Sequence, residues 1–155
     1  MLGKEFSRNE ISQILNIGKA FIFLDSAIIT SPGKEIKAIY AFHFEDPIVE
    51  AHFIGNPVIP GSLILESAFQ AMALLIYESR QHLNSNTFIT GVEANFYATV
   101  KPADELHITA RILNYSRGIT KGQISIFVEE ALKCSANVNY FSPGFVENLG
   151  RKVLN

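Results

Sequence analysis

The sequence predicts an α+β fold in which an antiparallel sheet wraps around one long central helix. From Gly61 to about Gln81 no proline or further glycine interrupts the chain, and the first half of this segment is apolar on almost every face. That pattern is typical of a helix enclosed by the protein. Segments rich in β-forming residues lie before and after it. A buried helix flanked by such segments favours one antiparallel sheet packed on the helix.

The 155 residues are predicted to form one domain. The chain is long enough to bury its own core, and it contains no repeat, low-complexity segment or linker. The domain is expected to span 1–155, with its structured core at about 8–141 and a C-terminal tail at 142–155.

A short amphipathic helix is predicted at residues 8–16. Ser7 and Glu10 have the spacing of a capping box, and apolar residues at helical spacing follow them. Gly18 is expected to end this helix.

The remaining elements are predicted to be strands separated by turns. Val, Ile, Phe and Tyr are frequent in the strand segments, whereas Pro, Gly, Asn and Ser mark the breaks. The second strand alternates apolar and mixed residues, so one of its faces is expected to pack on the helix. The strands are predicted at 21–30, 36–43, 88–100, 105–115, 123–128 and 131–141, with breaks at 31–34, 84–86, 101–104, 118–122 and 129–130.

Composition excludes several classes of function. The chain has 13 basic and 15 acidic residues, so no overall positive field indicates nucleic acid or an anionic membrane surface as a partner. The only cysteine, Cys134, excludes an internal disulfide and fits a reducing compartment. The N-terminus is too polar for a signal peptide, and Glu66 and Gln70 interrupt the helix that could otherwise span a membrane. A cytoplasmic protein is expected.

The segment before the central helix is a candidate catalytic loop. Pro57, Pro60 and Gly55 bend and stiffen the backbone between His52 and Gly61, so the histidine is expected to be held in a fixed position. An unpaired carboxylate inside an apolar helix is costly, and a carboxyl group near a rigid histidine is suited to act as a general acid. Glu66, with Gln70 one turn later, is therefore the second candidate.

These residues resemble the active-site signature of the 3-hydroxyacyl-acyl-carrier-protein dehydratases, which have a hot-dog fold. Residues 21–25, 31–34 and 101–104 are also similar to the first strand, the following turn and a later corner of that family, so the resemblance covers most of 8–141. The residues that match the signature in register are His52, Phe53, Gly55, Pro57, Pro60, Gly61, Glu66 and Gln70.

The resemblance implies dehydration of (3R)-3-hydroxyacyl groups to trans-2-enoyl groups while they are carried on the phosphopantetheine of an acyl carrier protein. It implies no metal or redox cofactor. His52 would be the base and Glu66 the acid, contributed by opposite subunits of a homodimer that could assemble further into a trimer of dimers. The backbone N–H of Gly61, in the first turn of the helix, would stabilise the charge on the thioester oxygen. The residues expected to line the substrate site are Gln70, Phe53, Pro60 and Phe69.

The chain departs from the family pattern at several positions. Asn16–Ala20 replaces the family's proline-histidine-arginine-tyrosine-proline run, and Ile54, Ile59 and Ser62 stand where the family favours proline, methionine and valine. Residues 95–99 contain none of the family's arginines. These departures suggest a specialised pathway. Because the family's arginines are missing, docking of an acidic carrier is predicted to depend on three other cations, Lys101, Arg117 and Lys121.

Two alternatives remain open at the level of sequence. A hot-dog thioesterase would need a carboxylate to activate water, but it would give the histidine loop no purpose. A non-catalytic acyl-binding partner subunit would gain nothing from an acid and a base such as Glu66 and His52 in an apolar cavity.

Overall fold

The computed structural model describes residues 3–80 and 86–144. Within these ranges the chain forms strands and helices in the alternation that the sequence predicts, with one additional strand and one additional short helix. In order they are β1 (Lys4–Ser7), α1 (Arg8–Leu15), a 3₁₀ turn (Lys19–Phe21), β2 (Ser26–Ser31), β3 (Glu35–Ala41), α2 (Pro47–Ala51), α3 (Gly61–Ser79), β4 (Phe88–Phe96), β5 (Glu105–Ser116), β6 (Ile119–Val128) and β7 (Ala131–Phe141).

The described strands form one sheet in the order β1-β2-β3-β5-β6-β7-β4, and every neighbouring pair is antiparallel. Helix α3 packs against the inner face of this sheet at β3, β5 and β6. The predicted architecture, an antiparallel sheet around one long central helix, is confirmed. Among the described residues, no helix is both long enough and apolar enough to cross a membrane.

The core lies between α3 and the concave face of the sheet. Ala68, Met72 and Leu75 of α3 are completely buried, and the alternate residues Ile36 and Tyr40 of β3 face them from the sheet. The period of two predicted for β3 is therefore confirmed. One side of α3 is buried against the sheet, whereas Leu65, Glu66 and Phe69 near its N-terminal half remain partly exposed.

The N-terminal elements differ from the sequence prediction in three ways. Helix α1 has the predicted capping box, but it ends at Asn16 in the left-handed conformation rather than at Gly18. Strand β1 was not predicted. Residues 21–25 are not part of a strand, because the backbone of Phe21 and Phe23 is hydrogen-bonded to the side chain of Gln70 instead of to a neighbouring strand.

The C-terminal half follows the prediction more closely. The turn between β5 and β6 consists of Arg117 and Gly118, both with positive φ, whereas Gly122 lies inside β6. Strand β4 ends at Phe96, four residues earlier than expected.

The helix α2, which begins at Pro47 in the N-terminal half, was not predicted. The tip at 129–130 is confirmed, and most of the predicted break at 84–86 and of the tail lies outside the described residues.

Gly122 of β6 lies very close to Met72 of the central helix. A Cβ atom at Gly122 would lie 3.0 Å from the Met72 sulfur and still closer to its methyl group. We expect Gly122→Ala to lower the free energy of unfolding by about 1–3 kcal/mol, because a buried side chain must move to make room. Chemical denaturation measures this loss.

Gly18→Ala is the matched control. A Cβ atom there meets nothing within 4 Å, and the backbone has a conformation open to any residue, with φ −57°. Its effect on stability should be small. Equal losses in the two variants would contradict the argument from close approach.

Candidate active site

The backbone around His52 reverses direction directly after a short helix. The side chain of Asp46 caps α2 by accepting a hydrogen bond from the Ile48 N–H at 2.9 Å, and Pro47 occupies the first turn. The helix ends at His52, and the following Phe53 has a φ of 55°, an uncommon left-handed conformation for a residue with a side chain. The histidine therefore lies at a sharply bent helix end.

One hydrogen bond fixes the imidazole of His52. Its Nδ1 lies 2.7 Å from the carbonyl oxygen of Val58. Since a carbonyl oxygen only accepts, Nδ1 carries the hydrogen, and the neutral ring has its lone pair on Nε2. The ring also contacts that of Phe53, with the two centroids 4.5 Å apart. This arrangement leaves Nε2 able to accept a proton.

The loop that holds His52 is attached to the sheet. The N–H of Ile59 donates to the carbonyl oxygen of Val100 at 2.8 Å, and the Ile59 side chain is buried. Pro60 follows directly and is the N-cap of α3. The histidine, the start of the central helix and the segment before β5 are thus joined at one end of the sheet.

The first turn of α3 has free backbone donors. The N–H groups of Leu63 and Ile64 donate to the Pro60 carbonyl, whereas those of Gly61 and Ser62 have no hydrogen-bond partner among the described residues. Free N–H groups at the positive end of a helix dipole are suited to stabilise an oxyanion.

Gly61 also allows an aromatic ring to approach the helix. A Cβ atom at Gly61 would lie 2.9 Å from the nearest ring carbon of Phe96, whose side chain is half exposed. Sequence reasoning did not identify Phe96 or the Val58 carbonyl as parts of this site. No local signal marks either of them, because each is defined by a contact with a distant or irregular part of the chain.

Glu66 occupies the second turn of α3 and is partly buried. Burial raises the pKa of its carboxyl group, and a hydrogen bond from Gln70 offsets part of that increase. The apolar residues Leu65 and Phe69 beside it pack against the core. The environment thus favours the protonated acid, as the sequence predicted.

The Gln70 side chain is only 2% exposed, and its amide group is fully engaged within the chain. Its Oε1 accepts from the Phe23 N–H at 2.8 Å, and its Nε2 donates to the Phe21 carbonyl at 2.8 Å and to Glu66 Oε1 at 3.1 Å. A long-range connection between the central helix and the segment before β2 therefore passes through Gln70.

A single chain does not bring all the predicted site residues together. No hydrogen bond or ion pair joins His52 to Glu66 in the described part of the chain. Phe53 is 65% exposed, and Pro60 lines a shallow apolar hollow of about 450 Å³ beside His52. A larger hollow of about 840 Å³ lies around Ile39 on the other face of the sheet and contains none of the predicted catalytic residues.

The three cations predicted to dock the carrier lie at opposite ends of the sheet. Lys101 follows Val100, next to the histidine loop, whereas Arg117 and Lys121 lie beyond or near the far end of β5. The 12 residues of β5 span about 40 Å at the usual rise of a strand. One chain therefore does not present these side chains as a single patch.

The family comparison agrees with the resemblance found in the sequence. The profile of the FabA-like domain family matches residues 16–137. A 3-hydroxyacyl-[acyl-carrier-protein] dehydratase FabZ from Wolbachia sp. subsp. Drosophila simulans (strain wRi) is 32% identical over 136 residues, or 87% of this chain and 95% of the relative. The FabZ protein of Shewanella woodyi is 31% identical over 132 residues, or 83% of this chain and 87% of the relative.

Solved structures share the fold at lower sequence identity. A thioesterase from Haemophilus influenzae superposes with a TM-score of 0.66 at 20% identity, covering 91% of this chain and 94% of its own. An uncharacterized protein from Pyrococcus horikoshii superposes with a TM-score of 0.61 at 16% identity, and the superposition covers 78% of this chain and 84% of that protein's chain. These similarities establish the hot-dog fold and leave the reaction to be argued from the site.

The hydrogen bond of His52 predicts its tautomer. We expect neutral His52 to carry its hydrogen on Nδ1, because the Val58 carbonyl can only accept. Nitrogen-15 NMR of labelled protein above the pKa of the ring should show an unprotonated Nε2.

His107 provides an internal comparison. Its Nε2 lies 3.0 Å from a carboxylate oxygen of Glu105, so it should retain the hydrogen on Nε2. An Nε2–H tautomer for His52 would mean that the Val58 contact does not orient the base.

Proposed function

Because the chain belongs to the FabA-like domain family, we propose that it dehydrates (3R)-3-hydroxyacyl groups carried by an acyl carrier protein and releases the trans-2-enoyl thioester. The reaction serves fatty acid biosynthesis or a related specialised pathway. One observation carries the proposal. A histidine with an available Nε2 and a glutamate whose pKa is raised by burial belong to the two ends of one segment, His52 to Glu66, which contains the start of α3.

His52 is the base in this mechanism. Its Nε2 removes the proton from the carbon next to the thioester carbonyl, and the Val58 carbonyl stabilises the imidazolium through Nδ1–H. The electron pair of the broken C–H bond forms the carbon–carbon double bond. As it forms, the C–O bond to the hydroxyl group breaks.

Glu66 is the acid. It gives its proton to the departing hydroxyl group, which leaves as water, and a group with a raised pKa is suited to arrive at this step protonated. His52 then loses one proton and Glu66 regains one through solvent. Because no electrons enter or leave the substrate, the reaction needs no redox cofactor, and the carrier's phosphopantetheine is the group that delivers the acyl chain.

The start of α3 stabilises negative charge on the thioester oxygen. The free N–H of Gly61 is the proposed donor, and the absence of a side chain at this position leaves room for the ring of Phe96 beside it. Phe53, Pro60 and Phe69 are the proposed apolar contacts of the acyl chain near this point.

The complete site is proposed to form in a homodimer. Among the described residues of one chain no hydrogen bond joins His52 to Glu66, and the partner of each is proposed to come from a second copy. The edge strand β4 supports this, because Phe88, Val92 and Phe96 are exposed along a strand that is paired on one side only. Further assembly into a trimer of dimers is an extension of the same proposal.

Docking of the carrier is proposed to involve Lys101, which lies beside the histidine loop of its own chain. Arg117 and Lys121 could contribute only where another subunit brings them to the same site. The enzyme is proposed to work in the cytoplasm, in agreement with its free Cys134. The thioesterase alternative rests on fold similarity alone.

Removing either catalytic group should nearly abolish dehydration. We expect His52→Ala and Glu66→Gln each to lower kcat by ~10²–10⁴-fold, because each removes one proton transfer. Mass spectrometry of 3-hydroxyacyl-carrier substrates of several chain lengths measures enoyl formation. His107→Ala and Glu130→Gln, which alter exposed residues away from the site, are the matched controls. Near-normal turnover by either catalytic variant would overturn the assignment.

Mixing the two inactive variants tests the shared site. Random exchange of subunits should restore about one quarter of wild-type activity, because about half of the dimers are mixed and each mixed dimer has one intact site. The His52→Ala protein alone and the Glu66→Gln protein alone are the controls. A fully active monomer, or no recovery despite demonstrated subunit exchange, would contradict the dimeric site.

A further inference from the structure

We propose that Gln70 is a positioning residue that fixes which oxygen of Glu66 carries the acidic proton. This inference deepens the proposed function and rests on Glu66 being the general acid. It assigns Gln70 to the orientation of the acid rather than to contact with the substrate.

The orientation of the Gln70 amide is determined by the backbone. The Phe23 N–H can only donate and the Phe21 carbonyl can only accept, so Oε1 must face the first and Nε2 the second. Exchanging the two ends of the amide would place donor against donor and acceptor against acceptor. The second hydrogen of Nε2 therefore points at Glu66 Oε1, 3.1 Å away.

This contact makes the two oxygens of Glu66 inequivalent. Oε1 accepts a hydrogen from Gln70, and because a carbonyl-type oxygen is the better acceptor, the hydrogen of the protonated acid is favoured on Oε2. Oε2 has no hydrogen-bond partner among the described residues and is the oxygen available to a substrate hydroxyl group. The amide thus favours the acid form with its proton on the oxygen that Gln70 does not contact.

Burial separates this role from direct binding of substrate. Gln70 is 2% exposed, and both of its polar atoms are satisfied by the chain. A substrate could bond to Gln70 only by displacing one of those partners. The irregular backbone at Phe21 and Phe23 is explained by the same contacts, because these groups bond to Gln70 instead of to a strand.

The hydrogen bond also affects the product of proton transfer. It lowers the pKa of Glu66 against the larger effect of burial, since the donor stabilises the carboxylate left after the proton departs. Among the other titratable groups in the described part of the chain, Tyr140 of β7 is the one whose pKa is affected by the charge of Glu66, in addition to the larger effect of burial. Burial raises the pKa of Tyr140 well above its usual value, and its hydroxyl group donates to the Phe69 carbonyl, so it stays neutral.

Gln70→Met tests the proposal with a side chain of similar volume. We expect kcat to fall about 10- to 100-fold with little change in KM, because the acid is misoriented while the acyl site is kept. In the pH profile of kcat, the fall in rate caused by deprotonation of Glu66 should move to higher pH. The reason is that the hydrogen bond from Gln70, which lowers the Glu66 pKa, is lost. If Gln70 had a purely structural role, the substitution would change the melting temperature but not the pH at which kcat falls.

Ser67→Ala is the matched control on the same helix. Ser67 is also buried and polar, but its hydroxyl group donates to the Ile64 carbonyl rather than to the acid. Its pH profile should remain that of the wild type. Gln70→Glu is the second variant. Its carboxyl group keeps an acceptor for the Phe23 N–H, and when protonated it also keeps one donor. Its activity relative to wild type should therefore be higher at acid than at neutral pH.

Carbon-13 NMR titration of the Glu66 carboxyl group, assigned with Glu66→Gln, separates this proposal from the proposed function. A higher Glu66 pKa in Gln70→Met supports the coupling even if the wild-type protein shows no dehydratase activity, a result that would overturn only the proposed reaction. An unchanged Glu66 pKa in folded Gln70→Met or Gln70→Glu would overturn the positioning role.

Discussion

The burial of α3 is the constraint on which the rest of the structure depends. An apolar helix of 19 residues is stable in water only if the sheet covers it, and Ala68, Met72 and Leu75 are completely enclosed. The proposed chemistry lies near one end of this helix. The N-terminal end is the suitable one, because its free N–H groups stabilise negative charge and the histidine loop leads directly into it.

The same burial gives the polar residues of α3 their properties. Glu66 loses water, which raises the pKa of its carboxyl group, while the hydrogen bond from Gln70 acts in the opposite direction. Gln70, one turn deeper, has to satisfy its amide within the protein, and it does so by capturing two backbone groups that would otherwise belong to a strand. A local irregularity before β2 is thus a consequence of one buried amide in the central helix.

The histidine has a different kind of support. It lies outside the buried helix, and its orientation depends on the Val58 carbonyl and on the attachment of Ile59 to Val100. The proposed base and acid are held by separate parts of the chain, and no hydrogen bond joins them among the described residues of one chain. The proposed dimer would bring base and acid into one site, and the exposed apolar edge strand β4 is a suitable surface for that proposed assembly.

The sequence by itself determined the class of fold, the central helix and the capping box of α1, and it predicted His52, Glu66 and Gly61 as site residues. These follow from local patterns: apolar periodicity, turn chemistry and polar residues where apolar ones are expected. Only the tertiary structure decided that residues 21–25 are irregular, that Gln70 bonds to Glu66, that Phe96 covers Gly61 and that Lys101 lies far from Arg117. Each of these depends on contacts between residues distant in the chain, and the local sequence contains no information about which partner a buried polar group or a strand end will meet.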